Sequence, residues 1–198
     1  MSGHQPPRPL ILASTSRYRK DLLARFQVPF EVHSPEVDET PQPDEPPDQL
    51  AMRLARAKAW AIARRYPGAV VIGSDQVAAL GPHLLGKPGD RATARKQLTL
   101  LSAQVAIFHT AVCVTVAESN QEISGEVPTW VRFRKISADE IERYLEREDA
   151  LDCAGSAKSE GLGISLLEAV QSEDPTALIG LPLIRLGNML RTLGLSLP

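Results

Sequence analysis

The stretch Leu10-Ile-Leu-Ala-Ser-Thr-Ser-Arg-Tyr-Arg-Lys20 decides how this chain folds. Its apolar run, Leu10 to Ala13, shows no alternation, which marks a strand buried on both faces. The run stops at small hydroxyl residues, which favour tight turns and helix N-termini. Three cations follow, and the pattern turns helical. The grammar predicts a buried strand, a tight loop and the start of a helix. Free backbone N–H groups and the helix dipole at such a junction attract anions, and Arg17, Arg19 and Lys20 add positive charge beside them. A phosphate site is one reading. An ordinary strand-to-helix turn with solvated basic residues is the other, and this segment alone does not separate them.

Working outward, Arg17 to Phe26 reads as a helix with Leu22, Leu23 and Phe26 facing inward, and Phe30 to His33 as a second strand. Residues 35–49 are acidic and proline-rich, hence a loop. Asp48 is a candidate cap for a helix running to about Tyr66, which Pro67-Gly68 ends. Ala69 to Gly73 is another apolar strand, ending at Ser74-Asp75-Gln76. Leu80 to Pro88 reads as a turn, and Arg91 to Leu101 as a helix. Val105 to Ala117 and Ile123 to Arg134 form long strands joined at Glu118-Ser-Asn. Ser137 with Glu140 spells a capping box for a helix to about Glu148. Cys153 to Gly163 is glycine-rich loop, and Leu181-Pro182 opens a last helix to about Leu193. The expected fold is α/β: a mixed twisted sheet flanked by helices, in two lobes with a central cleft. Residues 1–9 read as a short flexible leader and 10–198 as one domain, with a candidate second lobe around 102–136.

Composition narrows the function classes. The chain has 198 residues, 43% hydrophobic and 23% charged, as an ordinary globular protein does. A net charge of −2 provides no basic field for a nucleic acid polymer, so any anion is captured locally. No run approaches the roughly 20 apolar residues of a membrane span, and the N-terminus lacks the apolar core of a signal peptide. The two cysteines, Cys113 and Cys153, form no CxxC pair and read as buried thiols in a reducing cytoplasm. The four histidines have no metal-ligand spacing. Gly-x-Ser-x-Gly, the P-loop and GxGxxG are all missing, which removes support for nucleophilic serine chemistry and dinucleotide binding.

Several residues remain as candidates for chemistry. Glu36, Asp38 and Glu39 crowd three carboxylates into four positions, a charge density that divalent cations relieve; a solvated acidic loop is the plain alternative. Asp75 stands where an apolar strand ends, a place where α/β sheets bind ligands, or it caps a turn. Lys58 lies between Ala57 and Ala59 inside a helix, either reaching a cleft or solvated. Gly86-Lys87-Pro88 holds a lysine in a constrained turn, either binding phosphate as a point charge or forming an ordinary surface turn. Lys158-Ser159-Glu160 sits in a loop able to close over a flat ligand, or merely flexible.

Taken in order, these pieces resemble the Maf family of nucleoside triphosphate pyrophosphatases. The matching residues are Leu12-Ala-Ser-Thr-Ser16 with Arg19 and Lys20, Glu36-Val-Asp-Glu39, Lys58, Gly73-Ser-Asp-Gln76, Gly86-Lys-Pro88, His109-Thr110, Cys153-Ala-Gly-Ser156, and Asp174 with Gly180-Leu-Pro182. Each motif is weak alone; the ordered set, spanning nearly all of residues 10–193, is specific. Tyr18, Gln76 and Glu160 make the chain most similar to the branch acting on 7-methyl-GTP. Many members carry Ser-Pro-Arg-Arg where this chain has Ser16-Arg17-Tyr18-Arg19-Lys20. Arg19 keeps the expected cation, while Lys20 replaces a frequent arginine and lacks its bidentate fork.

The resemblance implies cleavage of the α–β phosphate bond of a nucleoside triphosphate, giving a monophosphate and pyrophosphate. It implies that Glu36, Asp38 and Asp75 hold one or two divalent ions, magnesium or manganese, with Asp75 as proton acceptor. Ser14, Arg19, Lys58 and Lys87 would clamp phosphate oxygens, and Gln76 joins the substrate-binding set. Residue type at the branch positions adds a further reading: Tyr18 stacks on the base, with cation–π attraction to a methylated guanine, and Glu160 pairs with the guanine edge and its charge. The resemblance also suggests a homodimer. Two alternatives stand beside this reading: a Maf pyrophosphatase with another preference, such as dTTP or UTP, and a non-catalytic nucleotide-binding regulator of division.

Overall fold

The computed structural model describes residues 8–197; most of the expected leader lies outside them. Seven strands form a single mixed sheet. In chain order the elements are β1 (Leu10–Ala13), α1 (Arg17–Ala24), β2 (Glu31–His33), α2 (Pro47–Ala63), β3 (Val70–Leu80), β4 (His83–Leu85), α3 (Arg91–Leu101), β5 (Val105–Val116), β6 (Gln121–Phe133), α4 (Ala138–Arg147), β7 (Leu167–Ser172) and α5 (Leu183–Thr192). The sheet order is β2-β1-β3-β5-β6-β7, with β4 added to β3. The segment 102–136, a candidate second lobe by sequence, contributes β5 and β6 to this same sheet. Among the described residues no helix is long and apolar enough to cross a membrane.

The central strand explains where a site can form. β3 is 11 residues long and pairs antiparallel with β5 from Val71 to Ala79. Its other edge is shared. β1 runs parallel to it from Val70 to Gly73 and stops; β4, a strand inside the segment Leu80 to Pro88 expected as a turn, folds back to pair antiparallel with Ala78 to Leu80. Residues 74–77 are therefore left without a strand partner on that edge. Asp75 does not end its strand, as the apolar run alone suggested, but sits in the middle of it, bonded through the ladder to Ala111 of β5. The strand continues because β5 offers unbroken pairing; the break belongs to β1.

Alternation along β3 sorts its residues between two faces. Val71 and Val77 pack under α2 with Leu54, Ala55, Ala59 and Ile62. On the opposite face, Val70 and Ile72 join α1 and α5 in one core, while Ala78 joins α3 and α4 in another. Polar Ser74 and Gln76 lie between these two cores. The long strands span both cores, and the cleft opens at their junction.

Local chemistry sets the helix ends. Ser16 caps α1, accepting from the Arg19 N–H, and Asp90 caps α3 through Thr93. The capping box of Ser137 and Glu140 forms in full. Asp48 does not cap α2: the helix starts one residue earlier, at Pro47, whose missing N–H suits the first turn. β7 has no apolar alternation to announce it. It is an edge strand with four exposed residues, held by pairing with β6.

Candidate active site

A cleft of about 980 Å³ opens at the gap in β3. Ser14 to Arg19, Ser34, Glu39, Lys58, Asp75, Gln76, Lys87, Asp152 and Glu160 are in its wall. Residues spread over nearly the whole chain thus converge, because the loop after β1, the loop before α2 and the turn after β4 all border the unpaired edge.

The floor is an ion pair. Lys58 Nζ donates to Asp75 Oδ1 at 2.5 Å, with the two side chains 8% and 10% exposed. Gly73 makes this possible. A Cβ there would stand 2.3 Å from the Ala55 carbonyl oxygen and 2.5 Å from the Ala59 nitrogen. Helix α2 therefore lies directly against the strand, and Lys58 reaches Asp75, two residues further on the same face. The lysine is buried and paired, not solvated. Its ammonium also meets Glu39 Oε1 at 2.7 Å, so one cation bridges two carboxylates.

The expected trio of Glu36, Asp38 and Asp75 is not assembled. Glu36 and Asp38 are exposed and outside the cleft wall. Asp38 instead accepts the Thr40 N–H at 2.9 Å, and hydrogen bonding to Thr40 holds its carboxyl below the usual range. Of the acidic loop, Glu39 is the member drawn to the Lys58 ammonium. Sequence reading placed it in the motif without singling it out, since three adjacent carboxylates look alike until the partner is known. Among the described residues no cluster of three or more His, Cys, Asp or Glu is arranged to hold a metal ion. A hard divalent ion, however, often takes only one or two carboxylates, with substrate phosphates completing its shell. Asp75 and Glu39, already sharing one cation, fit an ion that arrives with a polyphosphate; they do not fit a preformed all-protein site.

Around this floor stand the hydroxyl and cationic groups expected to meet an anion. Ser14 is buried, and its hydroxyl oxygen accepts the Ser16 N–H at 3.1 Å, tightening the turn into α1. Arg19 Nε donates to the Gly180 carbonyl at 2.9 Å. Burial pulls its guanidinium below the ordinary range, and the carboxylates of Asp75 and Glu39 oppose that. Lys87 is exposed on the cleft wall. Lys20 is exposed and outside the wall, so the cleft takes its cations from this stretch as Arg19 and, at the rim, Arg17.

Gln76 is already engaged. Its Nε2 donates to Thr110 Oγ1 at 3.0 Å and to the carbonyls of Ala177 and Leu178 at 2.9 and 3.0 Å. Ser74 reaches the Gly180 carbonyl at 3.0 Å. The polar belt between the two cores thus holds the 177–180 turn across the cleft. Asp174 shapes that turn from below. It is buried, accepts from Thr176, and takes the Ile184 and Arg185 N–H groups at 2.7 and 3.2 Å. The motif linking Asp174 to Gly180-Leu-Pro182 is a helix cap and a carbonyl display.

At the rim, the Tyr18 hydroxyl donates to Asp152 Oδ1 at 3.1 Å. Burial raises its phenol above the usual range. Asp152, 134 positions away, gave no signal in the sequence. Cys153, expected buried, is half-buried beside it, its thiol pushed up to about 12 by burial. Glu160 is exposed on the same wall. Its loop is pinned: Lys158 Nζ meets Glu148 at 2.8 Å, and Glu148 also accepts the Leu162 N–H at 2.8 Å.

The arrangement offers an anion the positive charge of Arg19 and Lys87, with the Asp75 carboxylate in the same wall. Known proteins resemble this chain over nearly its whole length. The family described as Maf-like protein matches residues 9–193. The 7-methyl-GTP pyrophosphatase of Aromatoleum aromaticum is 58% identical over 189 residues, covering 96% of this chain and 97% of that protein. Those of Xanthomonas oryzae pv. oryzae and Bordetella avium are 57% and 53% identical, covering 96% and 98% of this chain and 98% and 96% of theirs. The cleft residues fall inside the matched span, and the chain belongs to the Maf family.

Proposed function

We propose that this chain is a nucleoside triphosphate pyrophosphatase that hydrolyses 7-methyl-GTP to 7-methyl-GMP and pyrophosphate. The observation that carries the reading is the unpaired edge of β3. It presents Asp75 beside the buried Lys58, in one cleft with Arg19 and Lys87. Near-full-length relatives with that activity in their names support the substrate.

Lys58, Arg19 and Lys87 neutralise the triphosphate and stabilise charge as it develops on the leaving pyrophosphate. Water adds to phosphorus across the α–β anhydride, the bond to the bridging oxygen breaks, and the proton lost by water passes to Asp75. Glu39 shares the Lys58 ammonium with Asp75 and exchanges it for other cations when substrate enters. A magnesium or manganese ion, held by Asp75 and Glu39 with Glu36 and Asp38 nearby in the loop, would polarise phosphate oxygens and acidify bound water. The turn held by Gln76 and Ser74 keeps Arg19 aimed through the Gly180 carbonyl. Tyr18 and Glu160 face the base end. We place the enzyme in the cytoplasm, with its free thiols and the nucleotide pool.

The test is product analysis with 7-methyl-GTP, GTP, dTTP and UTP side by side. The expected result is direct release of pyrophosphate, fastest from the methylated substrate and lost in chelator until magnesium or manganese is returned. Stepwise orthophosphate release, or a preference for dTTP or UTP, would overturn it.

A further inference from the structure

Arg17 sits at the cleft rim in an arrangement unlike that of the other cations. Its guanidinium carbon stands 4.8 Å from the centroid of the Tyr18 ring. Its Nη2 donates to the Tyr18 hydroxyl at 2.7 Å and reaches Asp152 Oδ2 at 3.5 Å. The same hydroxyl donates to Asp152 Oδ1. An aromatic ring and a carboxylate, tied to each other, therefore hold a flat delocalised cation that carries N–H donors. Both charged side chains are well exposed, 59% and 47%. Pairs of this kind contribute little to folding, so the fold does not account for the arrangement.

A guanine methylated at N7 has the same description: planar, cationic, with N1–H and N2–H donors along one edge. Ring and carboxylate together attract such a group, the ring through its quadrupole and the carboxylate through charge-assisted hydrogen bonds. Neutral guanine keeps the donors and lacks the charge. Uracil and thymine turn two carbonyls toward a carboxylate for one N–H, which repels. Because Arg17 is the first residue of α1 and solvent-exposed, it can swing out as a base enters, and one cation then replaces another beside Asp152.

We propose that Asp152 joins Tyr18 and Glu160 at the base end as the specificity-determining residue sensing the positive charge of an N7-methylated guanine, and that Arg17 is the resident stand-in for that base, displaced by substrate. This rests on the activity proposed above and names the group that selects the base.

The test measures calorimetric binding of 7-methyl-GMP and GMP to the full chain, to Asp152→Asn and to Arg17→Gln. Wild type is expected to favour 7-methyl-GMP by about tenfold, a difference of about 1.4 kcal/mol. Asp152→Asn brings the ratio to about one. Arg17→Gln tightens 7-methyl-GMP binding severalfold, a gain that misfolding cannot mimic. An unchanged ratio in Asp152→Asn, or weaker 7-methyl-GMP binding in Arg17→Gln, overturns the assignment. Pyrophosphate release from 7-methyl-GTP by wild type is followed in parallel. Its absence, with base-selective binding intact, overturns the catalytic reading and leaves the subsite standing.

Discussion

The floor and the rim of the cleft are built from the same residue types and behave differently. At the floor, Lys58 and Asp75 are almost wholly desolvated, locked in register by the contact of α2 with Gly73. At the rim, Arg17 and Asp152 are about half open to water. Removing one partner of a buried pair strands an uncompensated charge, whereas an exposed pair is screened and exchanges its partners at little cost. The floor therefore suits chemistry that needs fixed geometry, and the rim suits recognition, where groups must part and re-form around a ligand.

Asp75→Asn should test the floor most severely. Loss of the proposed proton acceptor is expected to lower turnover by about 10²–10⁴-fold, read by single-turnover pyrophosphate release, while nucleotide binding persists. Lys58→Met should destabilise the fold by about 3–5 kcal/mol, since Asp75 is left buried and charged. Lys58→Met with Asp75→Leu should recover most of that stability and none of the activity, in denaturant melts and assays. If the single and double variants melt alike, the pair is not desolvated and the contrast with the rim fails.

Smaller changes sharpen the comparison. Gly73→Ala pushes α2 off the strand, with an expected cost of about 1–3 kcal/mol from overpacking and a turnover loss out of proportion to it. Arg17→Gln at the rim should leave the unfolding midpoint unchanged. The smallest effect concerns pH, far from the cleft. Hydrogen bonds from Ser137, then the Arg134 guanidinium, hold Glu140 at about 2 against an unfolded value of 4.5. A depressed folded value means that Glu140 contributes stability above about pH 4.5 and loses it as pH falls toward 2. Glu140→Gln should flatten that part of the pH dependence of thermal unfolding without altering activity.

Much of the scaffold was legible in the chain because its signals are local. The unbroken apolar runs of β1 and β3, the Ser137-Glu140 box and the polar joint between β5 and β6 need only near neighbours to be understood. Four features were not. The short strand β4 lay hidden in what read as a turn over Leu80 to Pro88, and it exists through pairing with β3. The length of β3 depended on β5. The strand β7 depended on pairing with β6 and carried no apolar face of its own. The start of α2 turned on proline geometry, for which Asp48 was a decoy. Within the site, Asp75, Lys58, Arg19, Lys87 and Tyr18 all stand in the cleft wall. Glu36 and Asp38 do not, because the Lys58 ammonium holds Glu39 instead.

By itself, then, the sequence determined the residue types and the order of elements: which segments are buried, where acids and bases are available, and which family pattern they follow. These are properties of short stretches and their burial. Only the tertiary structure decided which acid meets which base. That choice rests on the edge of β3 left open between β1 and β4, on the bare Gly73 that lets α2 close in, and on an Asp152–Tyr18 contact across 134 positions. Charge pairing is set by distance and desolvation, and neither exists until distant parts of the chain have packed together.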